Sequence, residues 1–154
     1  MKTVLDASTI ITLVKRHGEN SIDIMKESTT IALAPYEIGN TFRTETMLTK
    51  TLTTKEADRL LYIIYRIITP LSLETPTTAD QAITTLETAR KTETSYYDAA
   101  YITEAKRKGL PLATEDRRLA EKARKMKVKT VNAEALSSQT TSASMNDSEP
   151  SKKH

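Results

Sequence analysis

The chain has 154 residues, a formal net charge of +3 and a pI near 9.0. This length suits one domain with a sizeable core, and no stretch is long and apolar enough for a transmembrane span, so we expect a cytoplasmic protein with no membrane partner. The chain contains no cysteine and two histidines, which excludes a disulfide framework and a cysteine nucleophile and argues against a multi-histidine zinc site. Any catalysis would therefore depend on carboxylates.

The first predicted element is a short strand, Val4–Leu5, which runs directly into Asp6. A β-branched residue and a large aliphatic residue both suit a pleated, buried surface. Ser8 lies where a helix N-cap is expected, ahead of the segment Thr9–Val14. The strand therefore ends in a carboxylate, and ligands of open α/β sheets bind at the carboxyl edge of the strands.

Strand-like and helical segments alternate along the rest of the chain. This alternation predicts an α/β fold in which about seven helices cover a central parallel five-stranded sheet. The best-defined helix, Thr53–Ile68, begins with a capping box and carries an apolar stripe. The other predicted strands are Thr29–Ala34, Leu71–Leu73, Leu110–Thr114 and Val128–Val131, and the other predicted helices are Glu19–Lys26, Tyr36–Lys50, Thr78–Ala89, Tyr96–Lys108 and Asp116–Lys127.

The composition changes near the carboxyl end of the chain. Serine and threonine dominate the segment from Ser137 to Ser144, and few apolar residues follow. Such a segment buries too little apolar surface to offset its ordering entropy. We therefore predict one folded domain over residues 1–133 and a disordered polar tail over residues 134–154.

Three further acids stand at predicted element junctions. Glu37 and Asp98 lie in first helical turns, and Asp116 follows a strand. A favourable interaction with the helix dipole, about 0.3–1 kcal/mol, explains each of them singly. Because parallel strands end at the same edge of a sheet, however, Asp6, Glu37 and Asp116 should converge, with Asp98 joining from a helix above that edge. Carboxylates without His or Cys favour Mg²⁺ or Mn²⁺, which suits hydrolysis at phosphorus.

In their order and spacing, four segments of the chain resemble the motifs of a PIN domain, with the closest likeness to the VapC toxins of bacterial and archaeal toxin–antitoxin pairs. These segments are Val4–Ser8, Glu37–Asn40, Tyr97–Tyr101 and Thr114–Asp116. The resemblance covers about Met1 to Asn132. It implies a three-layer α/β/α fold and a divalent-metal-dependent endoribonuclease that leaves 5′-phosphate and 3′-hydroxyl ends on its RNA substrate.

The resemblance also implies roles for individual residues. Asp6 and Asp98 would be the principal ligands of Mg²⁺ or Mn²⁺. Glu37 and Asp116 would hold a second ion or its waters, or would orient the attacking water. The supporting positions of the family are matched by Ser8, Asn40 and Thr114.

The resemblance implies two protein partners as well, a small VapB-like antitoxin and a second copy of the chain in a homodimer. Relatives of this kind tend to use the helices that correspond to Tyr36–Lys50 and Thr53–Ile68 for both contacts. Arg43 and Arg117 are candidate contacts for RNA phosphates, or else parts of solvated helix faces.

Two other functions stay open at this point. The chain could be a PIN nuclease of RNA processing or quality control rather than a toxin. It could instead be a non-catalytic RNA-binding or interaction module on the same fold, in which the four acids serve only as helix caps.

Overall fold

A computed structural model describes the backbone of residues 1–146 and the side chains of residues 1–140. The fold is mixed α/β, with short parallel strands between longer helices. The strands are β1 (Val4–Leu5), β2 (Thr30–Ile31), β3 (Leu73–Glu74), β4 (Leu112–Ala113) and β5 (Thr130–Val131). The helices are α1 (Ala7–His17), α2 (Ser21–Met25), α3 (Ala34–Arg43), α4 (Thr54–Ile68), α5 (Ala79–Thr92), α6 (Tyr96–Lys108), α7 (Arg117–Lys125) and α8 (Ala133–Asn146).

The strands form two parallel sheets rather than the one that the sequence predicts. One sheet has the order β1-β4-β5, and the other pairs β2 with β3. A single parallel bridge from Val4 to Thr29 connects them. Beyond that bridge the Leu5 carbonyl accepts a hydrogen bond from the Thr30 hydroxyl at 2.6 Å, and such side-chain bonds compete with a backbone ladder. Among the described residues the structure thus has a three-stranded and a two-stranded parallel sheet, and it does not show the predicted continuous five-stranded sheet.

The core forms around β1 and α1. Val4 and Leu5 are fully buried, which is expected of a parallel strand covered on both faces. Helix α1 packs against α3 and α4, whereas α6 packs against β1, β2 and β4. The capping box predicted for α4 is confirmed, with Thr53 and Glu56 bonded reciprocally. These contacts hold the carboxyl ends of β1, β2 and β4 beside the first turns of α1, α3 and α6.

The boundary predicted at residue 134 needs correction, because the chain continues there as α8 (Ala133–Asn146). The Asn132 side chain accepts a hydrogen bond from the Ala135 amide at 2.9 Å, and Leu136 is buried in the core. Ser137 also bonds the ring of His17 at 2.9 Å. These contacts anchor a segment whose composition alone indicates disorder. The rest of the predicted tail, residues 147–154, lies outside the described residues.

No helix in the described part of the chain combines the length and the apolar character that crossing a bilayer requires.

Candidate active site

The four acids singled out in the sequence line one cleft of about 360 Å³. Asp6 follows β1, Glu37 lies in the first turn of α3, Asp98 lies in the first turn of α6, and Asp116 follows β4. The convergence expected at the carboxyl ends of parallel strands is therefore present. The other described residues of its lining are Ala7, Ser8, Ile11, Thr12, Lys15, Thr41, Glu45, Tyr101 and Leu119.

Asp6 is the most enclosed of the four acids, with 4% of its surface exposed. Its Oδ1 accepts hydrogen bonds from the Ser8 hydroxyl at 2.7 Å and from the Thr9 amide at 2.8 Å, and its Oδ2 accepts one from the Thr114 hydroxyl. Burial raises the pKa of Asp6, and the hydrogen bonds from Thr114, Thr9 and Ser8 oppose that rise. Asp6 thereby joins β1, the start of α1 and the end of β4.

Ser8 and Thr114 support the acids, although Ser8 does so in a different way from the one expected. The predicted N-cap role of Ser8 is wrong, because α1 begins at Ala7 and Asp6 is its N-cap. Ser8 instead donates to Asp6 and accepts from the Glu115 amide at 3.0 Å. The Thr114 hydroxyl likewise accepts from the Asp116 amide at 3.0 Å. The two hydroxyls therefore bridge the turn after β1 and the turn after β4.

Glu37 is partly buried and faces the phenol of Tyr101, whose hydroxyl donates to Glu37 Oε2 at 3.5 Å. Burial and then the charges of Asp6 and Asp98 raise the pKa of Glu37 from 4.5 to about 7. Burial also raises the pKa of Tyr101 well above its usual range. A carboxyl group that titrates near neutral pH is suited to exchange a proton with a bound water.

Asp98 and Asp116 form the more accessible side of the cleft, and their hydrogen bonds are local to their own helices. The Asp116 carboxylate caps α7 by accepting from the amides of Arg118 at 2.8 Å and Leu119 at 3.2 Å. Burial raises the pKa of Asp98, the charge of Asp116 adds to the rise, and the charge of Arg118 opposes it. We call Asp6 and Glu37 the inner pair, and Asp98 and Asp116 the outer pair.

The remaining predicted site residues lie outside the cleft lining. Asn40, Arg43 and Arg117 are exposed, and none of them is among the described residues that line the cleft. Asn40 lies three residues after Glu37 on α3, but it is exposed and is not part of the cleft lining. Both arginines lie on exposed helix surfaces, which suits a solvated face and an RNA contact alike, so their contact with RNA stays a prediction.

The sequence prediction missed Lys15 and Glu45, which form an ion pair inside the cleft. Lys15 Nζ lies 2.7 Å from Glu45 Oε1 and 2.8 Å from Oε2. Glu45 lies in a π-helical turn, Thr44–Leu48, directly after α3. The spacing of Glu37, Thr41 and Glu45 was a usable signal, because residues four apart share a helix face. The pairing with Lys15, thirty residues away, left no signal in the sequence.

The donor set of the cleft suits a hard divalent cation, because it offers carboxylate and hydroxyl oxygens and neither His nor Cys. Burial first, and then the charges of Asp6 and Asp98, raise the pKa of Glu37, and a bound cation would stabilise its charged form. Among the described residues, no three Asp, Glu, His or Cys side chains stand ready to hold a metal ion together.

Comparison with known proteins gives the fold and leaves the activity open. No protein-family model matches the chain, and no curated protein matches it. The crystal structure of PAE2754 from Pyrobaculum aerophilum is similar, with a TM-score of 0.71 and 23% sequence identity. That similarity covers 92% of this chain and 99% of the Pyrobaculum chain. At this level of identity, the comparison establishes a shared fold alone.

Proposed function

We propose that this protein is a divalent-metal-dependent endoribonuclease of the PIN type, acting as the toxin of a VapBC-type toxin–antitoxin pair. The observation that carries the proposal is the meeting of Asp6, Glu37, Asp98 and Asp116, from four separate elements, in one cleft. Helix capping explains individual acids but gives no reason for all four to face the same space. The PIN identity and the three-layer arrangement belong to this proposal and are supported by the order of the four motifs.

In this proposal, Asp6 and Asp98 hold a Mg²⁺ or Mn²⁺ ion, and Glu37 and Asp116 hold a second ion or its waters. A divalent cation bound there would lower the pKa of a water and stabilise the leaving oxygen at phosphorus. The protein itself supplies Asp6 in a fixed position through Ser8 and Thr114. It also supplies Glu37, a partly buried carboxyl group of the same cleft that would hold the second ion or orient its waters.

The toxin assignment also requires surfaces for a second copy and for an antitoxin. Large apolar side chains are exposed on α3, the π-helical turn and α4, where the sequence analysis expected both contacts. They are Tyr36, Met47, Leu48, Tyr62 and Tyr65, with 78%, 61%, 65%, 68% and 48% of their surface exposed. This surface supports the proposed homodimer and the VapB-like antitoxin as partners.

The second candidate function is a non-catalytic RNA-binding or interaction module. It is favoured by the capping roles of Asp6 and Asp116, since both carboxylates already accept backbone amides. In that case the acids would be structural, and neither adding nor removing metal ions would cause RNA cleavage.

The proposal is tested by incubating the protein with mixed-sequence single-stranded RNA in Mg²⁺, Mn²⁺ or EDTA. We expect metal-dependent cleavage with 5′-phosphate products, and a fall in rate of about a hundredfold or more in Asp98→Asn. Asp80→Asn is the matched control, because Asp80 occupies the first turn of α5 as Asp98 does that of α6. Cleavage that survives EDTA, or that Asp98→Asn and Asp80→Asn affect equally, would contradict the proposal.

A further inference from the structure

The cleft is strongly acidic for a site that would receive a polyanion. Five carboxylates line it, those of the four proposed site acids and Glu45. Among the described residues, Lys15 is the only basic side chain in the lining. Building on the proposed nuclease function, we propose that Lys15 binds a phosphate of the RNA substrate and that Glu45 holds the Lys15 ammonium group in place until RNA arrives.

Lys15 is positioned by α1, the helix that Asp6 caps. It lies in the last turn of that helix, four residues after Ile11, which also lines the cleft. About a third of the Lys15 side chain is exposed, so the ammonium group is accessible from the cleft opening. A lysine ammonium is a compact charge on a flexible stem, which allows it to move between two anionic partners.

Glu45 is the fixed partner of the pair. Its carbonyl accepts hydrogen bonds from the amides of Thr51 at 2.9 Å and Leu52 at 3.3 Å, which secure the π-helical turn against the following loop. π-Helical turns within helices occur frequently at functional sites. Because the Glu45 backbone is anchored through this carbonyl and Lys15 has the longer side chain, we expect Lys15 to be the partner that moves.

The Lys15–Glu45 ion pair is too weak to prevent Lys15 from exchanging Glu45 for an RNA phosphate. Both side chains are partly exposed, and pairs of this kind stabilise a fold only weakly. A phosphate offers the same ammonium group a charge-assisted hydrogen bond and releases counterions from the RNA. If the Lys15–Glu45 pair were only structural, replacing Lys15 would slightly change the stability of the fold and would leave RNA binding unchanged. The effect on RNA binding therefore distinguishes a structural role from phosphate binding.

The Lys108–Glu74 pair provides a control elsewhere on the surface, where Lys108 also lies 3.7 Å from Glu104 and Glu74 also pairs with Arg107. Its Nζ–Oε1 distance is 2.9 Å, and its side chains are 27% and 21% exposed, compared with 37% and 22% for Lys15 and Glu45. Lys108→Met removes the same charge from a similar environment outside the cleft. Any effect of net charge alone on RNA binding will therefore appear equally in Lys108→Met and Lys15→Met.

The test measures KM and kcat for RNA cleavage, and the affinity for fluorescently labelled single-stranded RNA in an Asp98→Asn background. We expect Lys15→Met to raise KM and Kd about tenfold, while Lys15→Arg restores most of the affinity. The slope of log Kd against log salt concentration should fall by about 0.7, the value for one phosphate contact on a single strand. Glu45→Gln should tighten binding about twofold to threefold, because the competing carboxylate is removed.

The outcomes separate this proposal from the function on which it depends. If RNA is cleaved and Asp98→Asn abolishes cleavage, but Lys15→Met and Lys108→Met have equal KM values and salt slopes, the role of Lys15 is overturned and the nuclease stands. A change confined to kcat would likewise overturn phosphate binding by Lys15. If the wild-type protein neither binds nor cleaves RNA, both proposals fall.

Discussion

The inner and outer pairs of the cleft are built differently although all four side chains are acids. The inner acids are bonded by other elements of the fold, Asp6 by Thr114 and Glu37 by Tyr101. The hydrogen bonds of the outer acids are local: Asp98 bonds Ser95 at the start of α6, and the Asp116 carboxylate accepts from the first turn of α7. The difference shows that the inner acids are tied to the core through other elements, whereas the outer acids depend on their own helix starts for hydrogen bonds.

The largest expected difference between the inner and outer pairs is in how much a substitution changes the stability of the fold. Asp6→Ala removes the N-cap of α1 and leaves the buried hydroxyl of Thr114 without its acceptor. We expect the free energy of unfolding to fall by about 2–4 kcal/mol. Asp98→Asn keeps a polar side chain in an accessible first turn, and we expect a change within about 0.5 kcal/mol.

Urea unfolding at neutral pH in EDTA measures both changes, with wild type as the reference. Equal losses for Asp6→Ala and Asp98→Asn would show that the outer acids are as integral to the fold as the inner ones, and the comparison would fail.

The second expected effect is a pH dependence of stability at Glu37, one of the inner acids. The folded state raises the pKa of Glu37 from 4.5 to about 7, so it favours the neutral carboxyl group. The resulting stability is fully present below pH 4.5 and is lost as pH rises through about 7. Glu37→Gln should therefore stabilise the metal-free protein at pH 8 by about 1–2 kcal/mol, after allowance for solvent screening, and should be nearly neutral at pH 4.

Chemical unfolding in EDTA across this pH range tests that expectation. Glu121→Gln, on the exposed face of α7, serves as the control for loss of one carboxylate. A constant difference between wild type and Glu37→Gln from pH 4 to pH 8 would mean that Glu37 is not held in a desolvated, negatively charged environment.

The site was more predictable than the details around it. The convergence of Asp6, Glu37 and Asp116 follows from parallel strands alone, because such strands end at one edge. Tyr101 and Tyr97 lie four residues apart on α6, yet Tyr101 is buried, with 1% of its surface exposed, whereas Tyr97 is 61% exposed. Helical spacing fixes which residues share a face and does not fix how far the neighbouring elements cover it.

Other features depend on contacts that a sequence does not display. Where the two sheets divide, the Thr30 hydroxyl bonds the Leu5 carbonyl, a contact between residues 25 positions apart. The helix after Ala133 depends on Leu136 reaching a pocket formed by distant elements, since α8 packs on α1 and α2. The Lys15–Glu45 pair likewise joins residues from separate elements. Composition and periodicity carry no information on such long-range pairings.

Thermal unfolding of wild type, Asp98→Asn and Asp80→Asn with EDTA, Mg²⁺ or Mn²⁺ tests the central claim most directly, because it detects the metal site without requiring the correct RNA. If the cleft binds a divalent ion, the wild type should gain about 2.7 kcal/mol at a metal concentration a hundred times Kd. Asp80→Asn should keep that gain and Asp98→Asn should lose most of it. No metal-dependent stabilisation of the wild type, or the same gain in all three proteins, would contradict the account and favour the non-catalytic module.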